Sequence, residues 1–253
     1  MKITKDIIDQ VGDVKSHVLR DIKSFLENCN RFFFNERELQ MHLAIYLKQS
    51  KYNNGNYKYD YVDVEYHIPR DFKPEIDKAY PWNTNMLSYD IMVSRAGEFV
   101  PIEIKYKLKD VDCKLTRCGE YGEESSGAGA TRTISDQGAR DLGCYGFWKD
   151  VKRVEILRDS FKSVNGGFVL FLTNDSGYVN LPTNKDVSYY NFRIKQGSVI
   201  SGNLEWQNHP KMEKDYPSFK INGCYDIDWR NLNINDNTKG INNVDLHALL
   251  LEI

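Results

Sequence analysis

Asp90, Glu103 and Lys105 are the residues whose types and spacing predict chemistry in this sequence. Two carboxylates that face each other on neighbouring strands repel. A divalent cation removes that conflict, because Mg²⁺ prefers oxygen ligands and completes its shell with water and substrate phosphate. A lysine beside such a cation can orient or deprotonate a water, or stabilise negative charge on a phosphate. The three residues therefore predict metal-assisted hydrolysis of a phosphodiester.

A β-hairpin is the element that must bring these residues together. The stretch SYDIMVSRAGEFVPIEIKYK, residues 88–107, has two flanks rich in Ile, Val, Tyr and Phe, as strands are. Gly97 supplies the positive φ of a tight two-residue turn. This turn pairs Arg95 with Glu98 and brings Asp90 opposite Glu103. Because side chains alternate along a strand, the second acid and the lysine share one face, so we expect all three groups in one patch.

The pattern D-x12-E-I-K resembles the PD-(D/E)xK, or restriction-endonuclease-like, nuclease superfamily. The resemblance implies that Asp90 and Glu103 bind Mg²⁺, for which Mn²⁺ can substitute. It also implies that the Ile104 carbonyl adds a ligand and that Lys105 handles the nucleophilic water. The family often has Pro before its Asp, where this chain has Tyr89.

A helix that carries an extra acid is expected next to the hairpin. In RFFFNERELQMHLAIYLKQS, Asn35 is a good N-cap and leucines recur at helical spacing. The pattern E-x-x-L-Q-x-x-L resembles the first helix of the superfamily core. Glu36 is the first choice for an accessory metal ligand because it continues the leucine stripe, whereas Glu38 is the second and is expected to face solvent. An ordinary role in the first helical turn is the alternative for both.

The remaining elements follow from hydrophobic periodicity and turn residues. They are a strand at 61–69, a loop crossing at 70–87, a helix at 135–160 capped by Ser135 or Asp136, and a buried strand at 166–173. With the helix at 36, residues 36–173 give the order helix, three strands, helix, strand. This is the α-β-β-β-α-β core that the resemblance implies, an α/β fold with a mixed sheet flanked by helices.

The rest of the chain is expected to belong to the same single domain, 1–253. A packing helix capped by Thr4 is predicted at 5–27. The C-terminal extension, 178–253, is predicted to be β-rich, with strands YYNFRI, GNLEW, CYDIDW and HALLLEI. It could contact DNA bases, form a homodimer contact, or complete the sheet.

Basic and polar residues after the hairpin are candidate nucleic-acid contacts: Lys107, Lys109, Arg132, Gln137 and Arg140. The irregular stretch 107–134 is long and rich in Gly and Ser, as functional loops often are, although its acidic residues also allow a solvated linker. Gln137 and Arg140 begin a predicted helix, where phosphate is favoured. A solvated first turn is the alternative for these two.

Composition restricts the function. The net charge is −2, so any nucleic-acid-binding surface must be local. No apolar run approaches the roughly 20 residues of a membrane helix, and the charged N-terminus does not resemble a secretory signal. We expect a cytoplasmic, Mg²⁺-dependent endonuclease of restriction or defence type that acts on double-stranded DNA, with a homodimer left open. The alternatives are a repair or transposition nuclease, and a non-catalytic nucleic-acid-binding module on the same fold.

Overall fold

The computed structural model describes residues 12–114 and 131–253. Its helices are α1 (Val14–Asn28), α2 (Glu36–Gln49), α3 (Pro74–Ala79), α4 (Arg140–Ser160), α5 (Ser176–Asn180) and α6 (Pro210–Asp215). Its strands are β1 (Tyr61–Pro69), β2 (Met86–Arg95), β3 (Glu98–Lys107), β4 (Val111–Lys114), β5 (Thr131–Ile134), β6 (Phe168–Thr173), β7 (Val199–Leu204), β8 (Phe219–Asp226), β9 (Trp229–Asp236) and β10 (Ile241–Glu252). Short 3-10 turns lie at Arg70–Phe72, Tyr190–Phe192 and Asn237–Lys239.

The described residues form an α/β fold around a mixed six-stranded sheet, in the order β1-β2-β3-β6-β10-β9. β3 and β6 are parallel, and the other neighbouring strands of this sheet are antiparallel. The chain passes from β3 to its parallel neighbour through α4, as parallel strands require a long crossover. Two small hairpins, β4-β5 and β7-β8, stand outside the sheet. No helix in these two described ranges is both long and apolar enough to cross a membrane.

The sheet is covered on both faces. One face packs against α1 and α2. The other packs against α4 and an aromatic cluster from the C-terminal part of the chain, which includes Phe192, Trp206, Phe219 and Trp229. β6 shows the consequence, because all its residues are buried. Phe168 and Leu170 face the α1-α2 layer, whereas Val169 and Phe171 face α4. A strand buried on both faces is a continuous apolar run, so the predicted buried strand is confirmed.

The predicted hairpin is also confirmed. Arg95 pairs with Glu98, and the register continues inward to the pair Ile91 and Ile102. Ala96 and Gly97 form the turn with φ of 51° and 80°, the two positive values of a type I′ turn. The 61–69 strand has the predicted bounds, but it lies at the edge of the sheet and all its residues are exposed or only half-buried.

Two predicted boundaries within the core are wrong. α4 begins at Arg140 rather than after Ser135 or Asp136, because Gly138 and Ala139 have left-handed φ of 45° and 47° and no helix passes through them. The Asp136 carboxylate instead accepts from the Gly138 amide at 2.8 Å, which closes a turn. The predicted loop at 70–87 contains α3, whose first residue, Pro74, suits a helix start.

The N-terminal helix differs from its prediction as well. α1 begins at Val14, and the Asp13 side chain caps it by accepting from the Ser16 amide at 2.7 Å. Gly12, with φ of 159°, is not helical, so a helix running unbroken over 5–27 is wrong. Thr4, the predicted cap, and residues 5–11 lie outside the described residues.

The C-terminal extension largely completes the sheet. β9 and β10 extend it beyond β6, and HALLLEI, predicted as a strand, lies in β10 except for its last residue. GNLEW begins in β7, and CYDIDW spans the end of β8 and the start of β9. YYNFRI is not a strand, because its centre forms the 3-10 turn Tyr190–Phe192 that buries Phe192 in the aromatic cluster.

Candidate active site

β2 and β3 separate partway along their length. Their ladder ends at Ile91, while β3 continues beside β6. The Ile104 and Tyr106 amides of β3 then need other partners, since backbone donors in a protein interior are almost always paired. The Ile104 amide donates to Asp90 Oδ2 at 2.6 Å, and the Tyr106 amide donates to Glu36 Oε2 at 2.9 Å. Two carboxylates thus replace the missing strand at this point, which we call the strand fork.

α2 delivers Glu36 to the strand fork. Asn35 caps the helix by accepting from the Glu38 amide at 2.9 Å, which places Glu36 in the first turn. One turn later, the buried Gln40 side chain donates to the Asp90 carbonyl at 2.7 Å and to Glu65 Oε1 at 3.1 Å. These hydrogen bonds hold α2 against β1 and β2 beside Asp90.

The two candidate acids of α2 have different surroundings. Glu36 lies at the strand fork, where the first candidate for the accessory acid was expected. Glu38 pairs with Lys239 at 2.8 Å and accepts from the Phe34 amide at 2.6 Å. The expectation that Glu38 faces solvent is therefore wrong, because a lysine from the C-terminal part of the chain reaches it.

Glu103 and Lys105 share one face of β3, as predicted, and that face packs against α4. Lys105 Nζ lies 2.8 Å from Asp150 Oδ2. Arg153 lies 2.5 Å from Glu103 Oε1 and 3.1 Å from Asp150 Oδ1. These four residues form a continuous chain of opposite charges, which we call the ion-pair chain.

Asp90 departs from the expected arrangement. Its carboxylate accepts from the Ile104 amide at the edge of β3, whereas Glu103 and Lys105 pair with residues of α4. The three charges are nevertheless close enough to shift one another's pKa. In addition, the pairing between β2 and β3 ends at Ile91 and Ile102, so Asp90 and Glu103, which would form the next pair, are not paired. The cause is the strand fork, where the side chain of Asp90 takes the place of backbone pairing.

Asp150 and Arg153 were missed as members of the site. They lie three residues apart on α4, so both reach the same part of β3. The available signal was the pair of opposite charges at helical spacing in FWKDVKRVEIL, a run that mixes charged and apolar residues. Gly146, one turn earlier, leaves room for the lysine, because a Cβ there would lie 3.2 Å from Lys105 Cε.

Burial and mutual repulsion shift the ionisation of the acids. Burial, followed by the charge of Asp150, raises the pKa of Asp90 from its ordinary 3.8 to about 6. Complete burial raises the pKa of Glu103 well above its usual range, although Arg153 opposes that shift. Burial alone would lower the pKa of Lys105, but Asp150 and Glu36 outweigh it and hold that pKa above its ordinary value. The lysine is therefore charged at neutral pH.

An open cavity of about 700 Å³ gives access to one side of the strand fork. Its lining includes Glu36, Asp90 and Glu65, whereas Glu103 and Lys105 are not among the lining residues. By register Glu65 lies opposite Asp90, and its φ of 52° is unusual for a residue with a side chain. Glu65 was not predicted, because in the sequence it is one polar residue of an ordinary alternating strand.

A divalent cation fits some of these donors and not others. No three or more His, Cys, Asp or Glu side chains in the described ranges form a metal-binding group. Asp90 and Glu36 suit Mg²⁺, which often binds one or two carboxylates and otherwise water. The Ile104 carbonyl points to the same edge as its amide, toward the strand fork. Glu103 does not fit as a ligand, because it is 1% exposed and pairs with Arg153.

Three of the predicted nucleic-acid contacts come together. Lys107, Gln137 and Arg140 line a second cavity of about 230 Å³. Within it, Arg140 pairs with Asp175 at 2.8 Å, so its charge is partly neutralised.

The other predicted contacts are not part of this cavity. The Lys109 amide donates to Asn174 Oδ1 at 2.7 Å. Arg132 lies in β5, where its backbone pairs with Cys113. Most of the Gly- and Ser-rich loop, residues 115–130, lies outside the described part of the chain.

A scan against protein-family models found no match for this chain, and neither did searches of curated proteins and of solved structures. The function must therefore be inferred from the geometry of the strand fork and the ion-pair chain.

Proposed function

We propose that the protein is a Mg²⁺-dependent nuclease that hydrolyses phosphodiester bonds in double-stranded DNA, in restriction or defence. The observation that carries the proposal is the strand fork, where Asp90 and Glu36 meet beside the charged Lys105. The element order supports a restriction-endonuclease-like core, since α2, β1 to β3, α4 and β6 follow the α-β-β-β-α-β sequence with β3 and β6 parallel.

The residues of the site have two roles, metal binding and stabilisation of charge on the phosphate. Asp90, Glu36 and the Ile104 carbonyl would hold Mg²⁺, which when bound supplies a Lewis acid and a more acidic water. Asp150 keeps Lys105 protonated and in place, so the lysine acts as a fixed positive charge rather than as a base. A preorganised charge of this kind stabilises the negative charge that develops on a phosphate.

The second cavity supplies contacts to the DNA backbone. Lys107 follows Lys105 on the same face of β3, one pleat closer to Gln137 and Arg140. Positive charge concentrated near the site suits a protein whose net charge is −2, because the remaining surface has little attraction for DNA.

A second candidate function is a non-catalytic nucleic-acid-binding module. The ion-pair chain favours it, because Glu103 and Lys105 neutralise charges of α4 and could serve packing alone. In that case the charged residues between β3 and α4 would stabilise the fold, and DNA binding would not lead to cleavage.

Cleavage of supercoiled plasmid distinguishes the two functions. Purified protein is incubated with plasmid and Mg²⁺, Mn²⁺ or EDTA, with Asp90→Asn as the matched control. The nuclease function predicts nicked or linear DNA with either metal, and none with EDTA or with the control. Binding without cleavage under every metal condition would instead support the non-catalytic module.

A further inference from the structure

We propose that Arg153 is a positioning residue that holds Glu103 away from the cation. A divalent cation at the strand fork is then bound by Asp90 and Glu36, and not by Asp90 and Glu103. This inference rests on the proposed metal-dependent function and changes the acid that the nuclease resemblance assigns to the metal.

Glu103 is unavailable because its partner is also held. Arg153 lies 2.5 Å from Glu103 and 3.1 Å from Asp150, so its guanidinium joins two buried acids. Glu103 is 1% exposed and does not line the open cavity. To reach a cation there, its carboxylate would have to turn away from Arg153 and leave a buried guanidinium with one partner instead of two. Removing one member of a buried pair is strongly unfavourable. A planar guanidinium is suited to this position, because it can bond two carboxylates at once.

Asp90 and Glu36 are available by contrast. Both line the open cavity, and the hydrogen bonds among described residues engage one oxygen of each carboxylate. The amides they contact, at Ile104 and Tyr106, are two positions apart on one strand edge, a separation of about 7 Å. The second oxygens of the two carboxylates can therefore approach one hydrated cation.

Arg153 also orders the neighbouring lysine. Because it bonds Asp150 Oδ1, it fixes the carboxylate whose other oxygen holds Lys105. The guanidinium of Arg153 thus sets the positions of two groups, the carboxylate of Glu103 and the ammonium of Lys105. The affinity for metal tests this role, because substitution of a purely structural residue would not be expected to tighten metal binding.

Mn²⁺ affinity, measured by electron paramagnetic resonance of the free ion, tests the inference without DNA. We expect Asp90→Asn and Glu36→Gln to weaken Mn²⁺ binding by about 10-fold or more. We expect Glu103→Gln to leave it unchanged. Wild-type protein that binds Mn²⁺ and loses it on Glu103→Gln would overturn this inference and leave the proposed function standing. Wild-type protein that binds no Mn²⁺ would overturn both.

A pair of variants isolates Arg153. Arg153→Met frees Glu103 to approach the cation, so it should tighten Mn²⁺ binding. The double variant Arg153→Met with Glu103→Gln removes both charges, which proteins tolerate better than the loss of one, and should return the affinity to the wild-type value. Equal affinity for the single and double variants would overturn the role of Arg153. Should these buried variants not fold, unchanged affinity in the partly exposed Glu36→Gln protein still overturns the inference.

Discussion

The ammonium of Lys105 on β3 lies 2.8 Å from the carboxylate of Asp150 on α4. This pair fixes both the position and the charge of the lysine, because Asp150 is the leading cause that raises its pKa against the effect of burial. A lysine held in this way can stabilise charge on a phosphate but is poorly suited to accept a proton from water.

Lys105→Ala should lower kcat far more than it weakens DNA binding, because the proposed work of the lysine lies in the transition state. We expect a loss of about 10²-fold or more in rate. Lys107→Ala is the matched control, and it should weaken binding and reduce the salt dependence by about one unit of slope. Single-turnover cleavage and binding at several salt concentrations separate the two roles. A wild-type rate for saturated Lys105→Ala would show that the lysine is not catalytic.

Asp150→Asn should change the pH dependence of cleavage. In the wild type the pKa of Lys105 lies above its ordinary value, so the lysine stays charged across the neutral and mildly alkaline range. Without the Asp150 charge, only Glu36 and Glu103 oppose the effect of burial, so the pKa of Lys105 falls and the lysine loses its proton at a lower pH than in the wild type. Single-turnover rates are measured from about pH 6 to 10. As the pH rises, the rate of the variant should begin to fall at a lower pH than the rate of the wild type. Parallel profiles would contradict the assigned role of Asp150.

Asp90→Asn should stabilise the metal-free protein at neutral pH. Because the pKa of Asp90 is raised from 3.8 to about 6, the native state binds more protons than the unfolded state between these values, and wild-type stability falls as pH rises through that window. The shift corresponds to at most about 3 kcal/mol. Asparagine still offers an oxygen to the Ile104 amide, so the fold should persist.

Urea unfolding in EDTA at several pH values measures this effect. The advantage of Asp90→Asn over the wild type should be largest above about pH 6 and should disappear as the pH falls below 3.8, where Asp90 is protonated in both the native and the unfolded state. An advantage that is independent of pH would mean that the carboxylate does not titrate as proposed.

Gly146→Ala should separate stability from activity. Alanine is favoured over glycine in a helix by about 1 kcal/mol, but its Cβ would lie 3.2 Å from Lys105 Cε and would push the side chain away. We therefore expect a melting temperature at or above that of the wild type together with slower cleavage. Thermal unfolding and single-turnover cleavage of the same preparation provide the comparison. Unchanged cleavage would show that the lysine tolerates the displacement.

The hairpin was predictable because its signals are local. Gly97 marks the turn, and alternation along β3 places Glu103 and Lys105 on one face. The buried strand β6 was equally clear, since a short apolar run follows a pair of glycines.

The resemblance predicted Glu36 beside the hairpin, but the separation of the strands at the strand fork was not predictable, because it depends on tertiary contacts. The ladder between β2 and β3 ends where Asp90 and Glu36 bond the amides of β3, and Glu36 arrives from a separate helix. The same reason hid Arg153, whose partner Glu103 is distant in the chain. Local patterns report which face a side chain takes, but not which residue of another element meets it there.

The place of β10 in the sheet affects how the chain acquires its structure during synthesis. β6 is flanked by β3 on one side and by β10 on the other, and Leu170 of β6 pairs with Leu250. While the ribosome still holds the later segment, one edge of this apolar strand has no partner, and such edges attract other chains and chaperones. The layer that supports α4 and Lys105 is therefore completed late. If the protein cuts DNA, the nascent chain is not yet competent to do so while translation continues through residue 252.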